Sequence, residues 1–405
     1  MAKKLIYQLY LFGFVGGPQS ALYKATKHLA RVKEAGADAV WIGPIFKSPW
    51  KDHGYDISNY FEIEPRFGTM ADFDQFVKTA HSYGLEVLID LVLGHTSKEH
   101  PWFHDPNFRD KFYCWSEEDR SNWENLFDGD SAWAHDEESG KYYLHLFHPD
   151  QADLNWFPDG VDHGINQELL WRFQTIAHFW LSSHYVDGFR LDIPQTINKD
   201  LRADSLKLND LIFGARAAEV INEIFRNIDC LLIMECMDPT FGELVDYYWS
   251  ETKVDYVLNI LVKNEIADGE EHFRDVLNQS VQHPGFMLDL ESHDSPRFIS
   301  RGVTVAEMIN YLFDSGANAI CLYQGQELGL DNPTEEELKN SKMIELDAMT
   351  KMQFDMGEDI ADLRPISRAN ARVPLPLEEY DRQEKCNYSP FIQYKEKMWK
   401  WKGLV

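Results

Sequence analysis

The chain has 405 residues, 44% of them hydrophobic, with 39 Lys+Arg against 67 Asp+Glu and a formal net charge of −28. That apolar share is ample for a large core and excludes disorder as the main state. An acidic field without a Lys/Arg cluster repels phosphate backbones and anionic lipid, so neither nucleic acid nor a membrane surface is an expected partner.

Aromatics make up 14% of the chain, which fits a large core or a cleft that stacks sugar rings, and composition does not separate the two. The five cysteines (Cys114, Cys230, Cys236, Cys321 and Cys386) are odd in number and form no C-x-x-C pair, so buried free thiols are expected rather than a disulfide framework or zinc site. The first fifteen residues are broken by Gln8 and lead to no A-x-A site, and no run of ~18 apolar residues occurs. A cytoplasmic, reduced protein is the expectation.

In chain order, strand-like apolar runs fall at 5–12, 38–43, 86–93, 186–192, 230–236, 254–260, 286–290 and 317–323. Helical patterns at 21–34, 71–82, 167–183 and 306–314 lie between them. Eight apolar strands alternating with helices predict a (β/α)8 TIM barrel. An open doubly wound sheet would carry a Gly-rich phosphate loop after its first strand, and Gly13-Phe-Val-Gly-Gly17 lacks that spacing. Two connections are too long for ordinary loops. The first, rich in Trp, His, Asp and Asn with a strand-like piece at 141–147, reads as a small inserted domain at 95–160, with the barrel formed by 1–94 and 161–405. The second, from Gln326 to about Asn387, is acidic, contains Pro374 and Pro376, and predicts short helices before a last amphipathic helix at 390–401.

Barrels of this kind place their active site at the C-terminal ends of the strands. Asp90 and His95 follow the third strand, Arg190 and Asp192 end the fourth, Glu235 ends the fifth, and His293 and Asp294 follow the seventh. Like charges crowded on one rim cost energy unless function requires them. Two chemistries use such a cluster: glycoside cleavage by a nucleophile and an acid, or a divalent metal site for enolate or phosphate chemistry. Spacing alone leaves both open.

Asp90-Leu-Val-Leu-Gly-His95, Gly188-Phe-Arg-Leu-Asp192, the Glu235 strand and Ser292-His-Asp294 with Pro296-Arg297 resemble, in order, the four conserved regions of glycoside hydrolase family 13, the α-amylase family. His53-Gly-Tyr-Asp-Ile-Ser-Asn-Tyr60, Pro65-Arg-Phe-Gly-Thr-Met70, His95-Thr-Ser-Lys-Glu-His-Pro-Trp-Phe103, Gln151-Ala-Asp-Leu-Asn-Trp156 and Ser367-Arg-Ala-Asn-Ala-Arg372 are similar to signatures of its oligo-1,6-glucosidase branch. The resemblance implies Asp192 as nucleophile, Glu235 as general acid/base and Asp294 as transition-state stabiliser. It implies that Arg190 keeps Asp192 ionised, that His95 and His293 bind the hydroxyls of the first glucose, and that Tyr55 stacks beneath that ring. Asp52 and Arg372 would close the pocket around the terminal 4-hydroxyl, and Phe147 would line its wall. Arg297 reads as a structural ion-pair partner.

Three departures from the family stand out. Leu11-Phe-Gly-Phe-Val-Gly-Gly-Pro18 replaces an Asp/Asn-rich metal loop, and Gly94 replaces the Asn that helps bind calcium in amylases. No metal and no cofactor are therefore expected. The sequence also stops where the last barrel helix should end, without the family's C-terminal β-sandwich, and a second copy of the chain is one way to cover the surface that domain packs on. The resulting expectation is a retaining exo-acting α-glucosidase for short α-glucosides. The alternatives are an isomerase or transglucosylase resembling trehalose synthase or sucrose isomerase, and a non-catalytic scaffold, which an intact triad disfavours.

Overall fold

The eight apolar runs pair side by side as a closed parallel barrel in the computed structural model of the chain, which describes residues 3–404 except 17, 121, 128, 161–162, 206–214, 341–367, 374 and 376–388. The strands are β1 (Lys4–Tyr10), β2 (Ala39–Gly43), β3 (Glu86–Val92), β4 (Gly188–Asp192), β5 (Leu231–Cys236), β6 (Tyr256–Asn259), β7 (Phe286–Asp289) and β8 (Ala319–Tyr323). Each pairs with its successor, and β8 closes onto β1 with Lys4 opposite Ala319. The first run is shorter than its apolar content predicts, because Leu11–Phe14 curls into a 3-10 turn over the barrel rim.

The principal outer helices are α1 (Ala21–Glu34), α2 (Met70–Ser82), α3 (Gln167–Ser183), α4 (Arg216–Ile224), α5 (Glu243–Glu251), α6 (Glu270–Ser280), α7 (Val305–Asp314) and α8 (Ser389–Trp401). Their starts are written locally. Ser20 caps α1, and Thr69 with Asp72 and Thr304 with Glu307 form capping boxes on α2 and α7. α1 buries Leu22, Ala25, Leu29 and Val32, a three-to-four spacing that lays one apolar stripe on the sheet. α8 is fastened back to the start of the barrel by Tyr394, whose hydroxyl donates to Ala35 O at 2.7 Å, and by Trp401, whose indole donates to Ala317 O at 2.9 Å. None of the described helices is long and apolar enough to cross a membrane.

Between β3 and β4 a three-stranded antiparallel sheet (Trp115–Ser116, Tyr142–Leu144, Trp133–His135) builds its own core from Cys114, Trp123, Trp133, Leu144 and Leu146. A ribbon pairing His95–Ser97 with Gln151–Asp153 joins it to the barrel rim. After β8 come Gln326–Leu328, Glu335–Asn340 and Ala369–Arg372; Pro374, Pro376 and Cys386 lie outside the described residues. The other four cysteines are free thiols.

Alternation along each strand decides what fills the barrel. Ile6, Leu88, Ile233 and Met287 form the apolar lower layer with Trp41 and Cys321. Two residues further along the same columns stand Gln8, Asp90 and Glu235, so the interior turns from oil to charge towards the C-terminal rim. Two glycines make room for this. A Cβ at Gly43 would lie 1.6 Å from Asp90 Oδ2, and one at Gly188 would lie 1.8 Å from Leu231 O.

Away from the rim, the Tyr7 hydroxyl donates to Glu327 Oε1 at 2.9 Å, and burial pushes this carboxyl from 4.5 up to about 7. Folding therefore takes up a proton between those values, and stability falls as pH rises through that window. Glu327→Gln removes the penalty, so its stability advantage over the native chain grows by ~3 kcal/mol between pH 5 and 8. Urea unfolding at pH 5, 6, 7 and 8 measures it; a constant difference would show that Glu327 does not titrate in this range.

Candidate active site

The acidic rim is organised around one guanidinium. Arg190, 1% exposed, points up from β4, where it lies opposite Asp90 in register. Its Nη1 donates to Asp90 Oδ1 at 2.8 Å and to Asp192 Oδ1 at 2.6 Å. Nη2 approaches Glu235 Oε2 to 2.5 Å, but Nη2 has no aligned hydrogen-bond acceptor. The two carboxylates are thus treated differently: Asp192 accepts a directed, charge-assisted bond, and Glu235 does not. Burial raises both acids, opposed in each by Arg190, and the Glu235 charge raises Asp192 further. Two buried acids this strongly coupled hold one proton between them.

Asp294 has the opposite character. Although burial works against it, His293, Arg372 and Arg368 hold it ionised, well below the usual carboxylate range. His293 Nε2 lies 2.9 Å from Asp294 Oδ2, and Arg372 Nη2 donates to Oδ1 at 2.5 Å. His293 is itself fixed by Gln8 at 2.7 Å through Nδ1 and by the Tyr55 hydroxyl at 2.5 Å through Nε2, with the Tyr55 ring stacked at 14°. Burial lowers His293 and His95, so both are neutral rings at neutral pH.

These groups open into one cavity. It is lined by Asp52, Tyr55, His95, Phe147 and Arg368 together with Asp192, Glu235 and Asp294. Among the described residues, Phe127, Ile193, Ile260, Lys263 and Asn264 also line it. Gln151 Nε2 ties Asp52 Oδ2 at 3.1 Å to His95 Nε2 at 3.0 Å, and Phe147 meets His95 edge-on. Of the ten site residues named from sequence, seven line this cavity, and Arg190, His293 and Arg372 lie behind it, bonded to its carboxylates. Arg372 does not line it: the side chain is fully buried, donating to His293 O at 2.9 Å and to Asp294. The cation beside Asp52 is Arg368, whose Nη2 donates to Asp52 Oδ1 at 2.7 Å. Sequence reading passed over Arg368 and Gln151 although both stand in quoted motifs, and it had no signal for Phe127 or Lys263. Arg297 bonds Glu291 at 3.0 Å and Gln324 O at 2.8 Å, a structural pairing.

Around Gly94, where the resembled amylases carry a calcium-binding Asn, the chain places its own cation. Gly94 O, Thr196 O and Asp153 Oδ1 converge on the buried Lys199 ammonium, which lies 3.5 Å and 3.0 Å from the two carbonyls. A Cβ at Gly94 would come within 2.5 Å of Thr196 Oγ1, so an Asn there would require Thr196 to shift.

A closed parallel barrel with three carboxylates at its C-terminal rim defines a class, the barrel glycosidases. Residues 22–398 match the family model for the α-amylase catalytic domain, and the chain belongs to that family, glycoside hydrolase family 13, as a glycoside hydrolase of the α-glucosidase type. It is 32% identical to the trehalose-6-phosphate hydrolase of Bacillus subtilis (strain 168), over 96% of this chain and 76% of that protein. It is 28% identical to the oligo-1,6-glucosidase of Bacillus cereus, over 96% and 77%. The crystal structure of Bacillus licheniformis trehalose-6-phosphate hydrolase superposes with a TM-score of 0.77 at 29% identity, covering 92% of this chain and 74% of that one. Isomaltulose synthase from Erwinia rhapontici superposes equally well at 25% identity.

Proposed function

We propose that the protein removes single glucose units from the non-reducing end of short α-glucosides with retention of configuration. The observation that carries this reading is the pair of buried acids, Asp192 and Glu235, set around Arg190 on adjacent strand ends and sharing a proton, with the ionised Asp294 beside them. Asp192 attacks the anomeric carbon while Glu235 gives its proton to the departing glycosidic oxygen, leaving a glucosyl ester on Asp192. Glu235, now ionised, takes a proton from water as that water attacks the same carbon and releases Asp192. Asp294, anionic throughout, stabilises the positive charge that develops on the ring in both transition states.

The Asp52–Arg368 ion pair lines the cavity and is tied to His95 through Gln151, which supports binding of a chain end rather than the middle of a polymer. Among the described residues, both cations on the cavity wall are already paired, Arg368 with Asp52 and Lys263 with Asp289, which supports an uncharged glucoside over a phosphorylated one. Incubation with maltose, isomaltose, sucrose, trehalose and trehalose 6-phosphate, with products followed by chromatography and the first anomer by NMR, tests the reading. Release of α-glucose from a neutral disaccharide is expected. Inversion would refute the ester, a rearranged disaccharide as main product would favour an isomerase, and preference for the phosphorylated sugar would refute the neutral substrate.

Linkage preference is expected to lean towards α-1,6 bonds because of Ile193, which follows the nucleophile and lines the cavity. Its φ of 27° is rare for a β-branched residue, and Pro194 restricts it further. The conformation is held by Thr196, whose N and Oγ1 donate to Ile193 O at 3.1 and 2.9 Å. A stiff side chain fixed there narrows the leaving side. Ile193→Ala should lower the ratio of kcat/KM for isomaltose over maltose roughly tenfold. The idea fails if maltose is already preferred or the ratio does not move.

A further inference from the structure

The mechanism above leaves one charged group of the cavity unused. Lys263 lies just beyond β6 in the 3-10 segment Val262–Asp268 and is only 3% exposed, yet it lines the cavity beside Ile260 and Asn264 and is close enough to Glu235 to bias its charge. Its ammonium donates to Asp289 Oδ2 at the end of β7 and to Ser292 Oγ at 3.0 Å. The same Ser292 hydroxyl accepts from Asp294 N at 3.2 Å, which keys the ammonium to the loop carrying the stabilising carboxylate. Arg301 Nη1 donates to Lys263 O at 2.7 Å and fixes the backbone from behind.

An ammonium has three N–H groups, and these contacts use two. A buried donor without an acceptor is costly, so the third is either wet or reserved for a ligand. Asp289 cancels the net charge, leaving a directional donor rather than an anion trap, and Glu235 and Asp294 on the same cavity would repel an anion. Its partner is then a neutral oxygen on the far side of the scissile bond from Asp52.

We propose that Lys263 is a specificity-determining residue that donates its third N–H to a hydroxyl of the departing sugar. The inference rests on the α-glucosidase reading. It makes the enzyme selective for a sugar leaving group over an aglycone without hydroxyls.

The test compares p-nitrophenyl α-glucoside with whichever of maltose and isomaltose is the better substrate. Lys263→Met should lower the ratio of kcat/KM for the disaccharide over the aryl glucoside about 10–100-fold, the loss expected for one hydrogen bond to a charged donor. The double variant K263M/D289N leaves no buried charge unpaired and should show the same split if the single variant folds poorly. Equal losses on both substrates, or none on either, overturn the proposal. Native enzyme supplies an independent arm. In a series of disaccharides each lacking one hydroxyl of the leaving sugar, one member should be cleaved about 10–100-fold more slowly, and a flat series overturns the proposal. Native protein that cleaves neither parent substrate overturns the α-glucosidase reading itself, which separates the two failures.

Discussion

Asp192→Ala should abolish turnover of every substrate, with a fall in kcat of about 10⁴-fold or more, as removal of a covalent nucleophile does elsewhere. Glu235→Gln should behave differently. Its loss should be about 10²–10⁴-fold on disaccharides, whose leaving oxygen needs a proton, and much smaller in the glucosylation step with a dinitrophenyl or fluoride leaving group. The reason lies in the leaving oxygen: an activated group departs without a proton, whereas nothing replaces the attacking carboxylate. Stopped-flow measurement of the first turnover separates the cases. If Asp192→Ala kept substantial activity on an activated glucoside, or Glu235→Gln lost as much on fluoride as on maltose, the assignment of roles would be wrong. The pH profile follows from the same arrangement. Because burial raises Glu235, the alkaline limb of kcat/KM reports loss of its proton and should vanish with an activated leaving group in Glu235→Gln.

The barrel was legible because parallel strands covered on both faces are continuous apolar runs, which few other structures produce. All eight runs became strands, with ends displaced by a residue or two where the last apolar residues turn over the rim, as at Leu11 and Phe12. The aromatics fall in both kinds of place: Trp41, Trp123, Trp156 and Trp180 are fully buried, while Tyr55, Phe127 and Phe147 line the cavity. The interior of the long insertion was not legible beyond its strand-like piece at 141–147, which pairs only at Tyr142–Leu144, because short strands in irregular chain carry little periodicity. Arg368 and Arg372 show a sharper limit. They stand four residues apart at one helical turn, where side chains share a face, and sequence does not say which reaches the cleft and which turns under Asp294. Lys263 was invisible for another reason. Its importance comes from Asp289, 26 residues away on the next strand, and nothing local marks that pairing.

Lys199→Met should cost about 3–5 kcal/mol of stability, because it strands Asp153 as a buried charge. Asp153 has little room to adapt. Its Oδ2 already accepts from Leu146 N at 2.7 Å, and its backbone is paired with His95 in the ribbon that positions the catalytic cleft. Lys199 also donates to Thr196 O, whose residue pins the turn after the nucleophile, so one ammonium links the His95 ribbon to the Asp192 turn. Activity should therefore fall along with stability, through positioning of two sides of the cavity. The double variant K199M/D153N removes both charges and should recover most of the stability, since a missing pair is far less costly than half of one. Exhaustive chelation of the native protein should leave activity and melting temperature unchanged, because the oxygens of Gly94, Asp153 and Thr196 are already bonded to the ammonium, so removing free cations takes no mass-action stabilisation from this region. Thermal unfolding with and without chelator, on the native protein and both variants, reads all of this. A large loss on chelation that calcium restored would refute the role given to Lys199, as would a single variant as stable as the native chain.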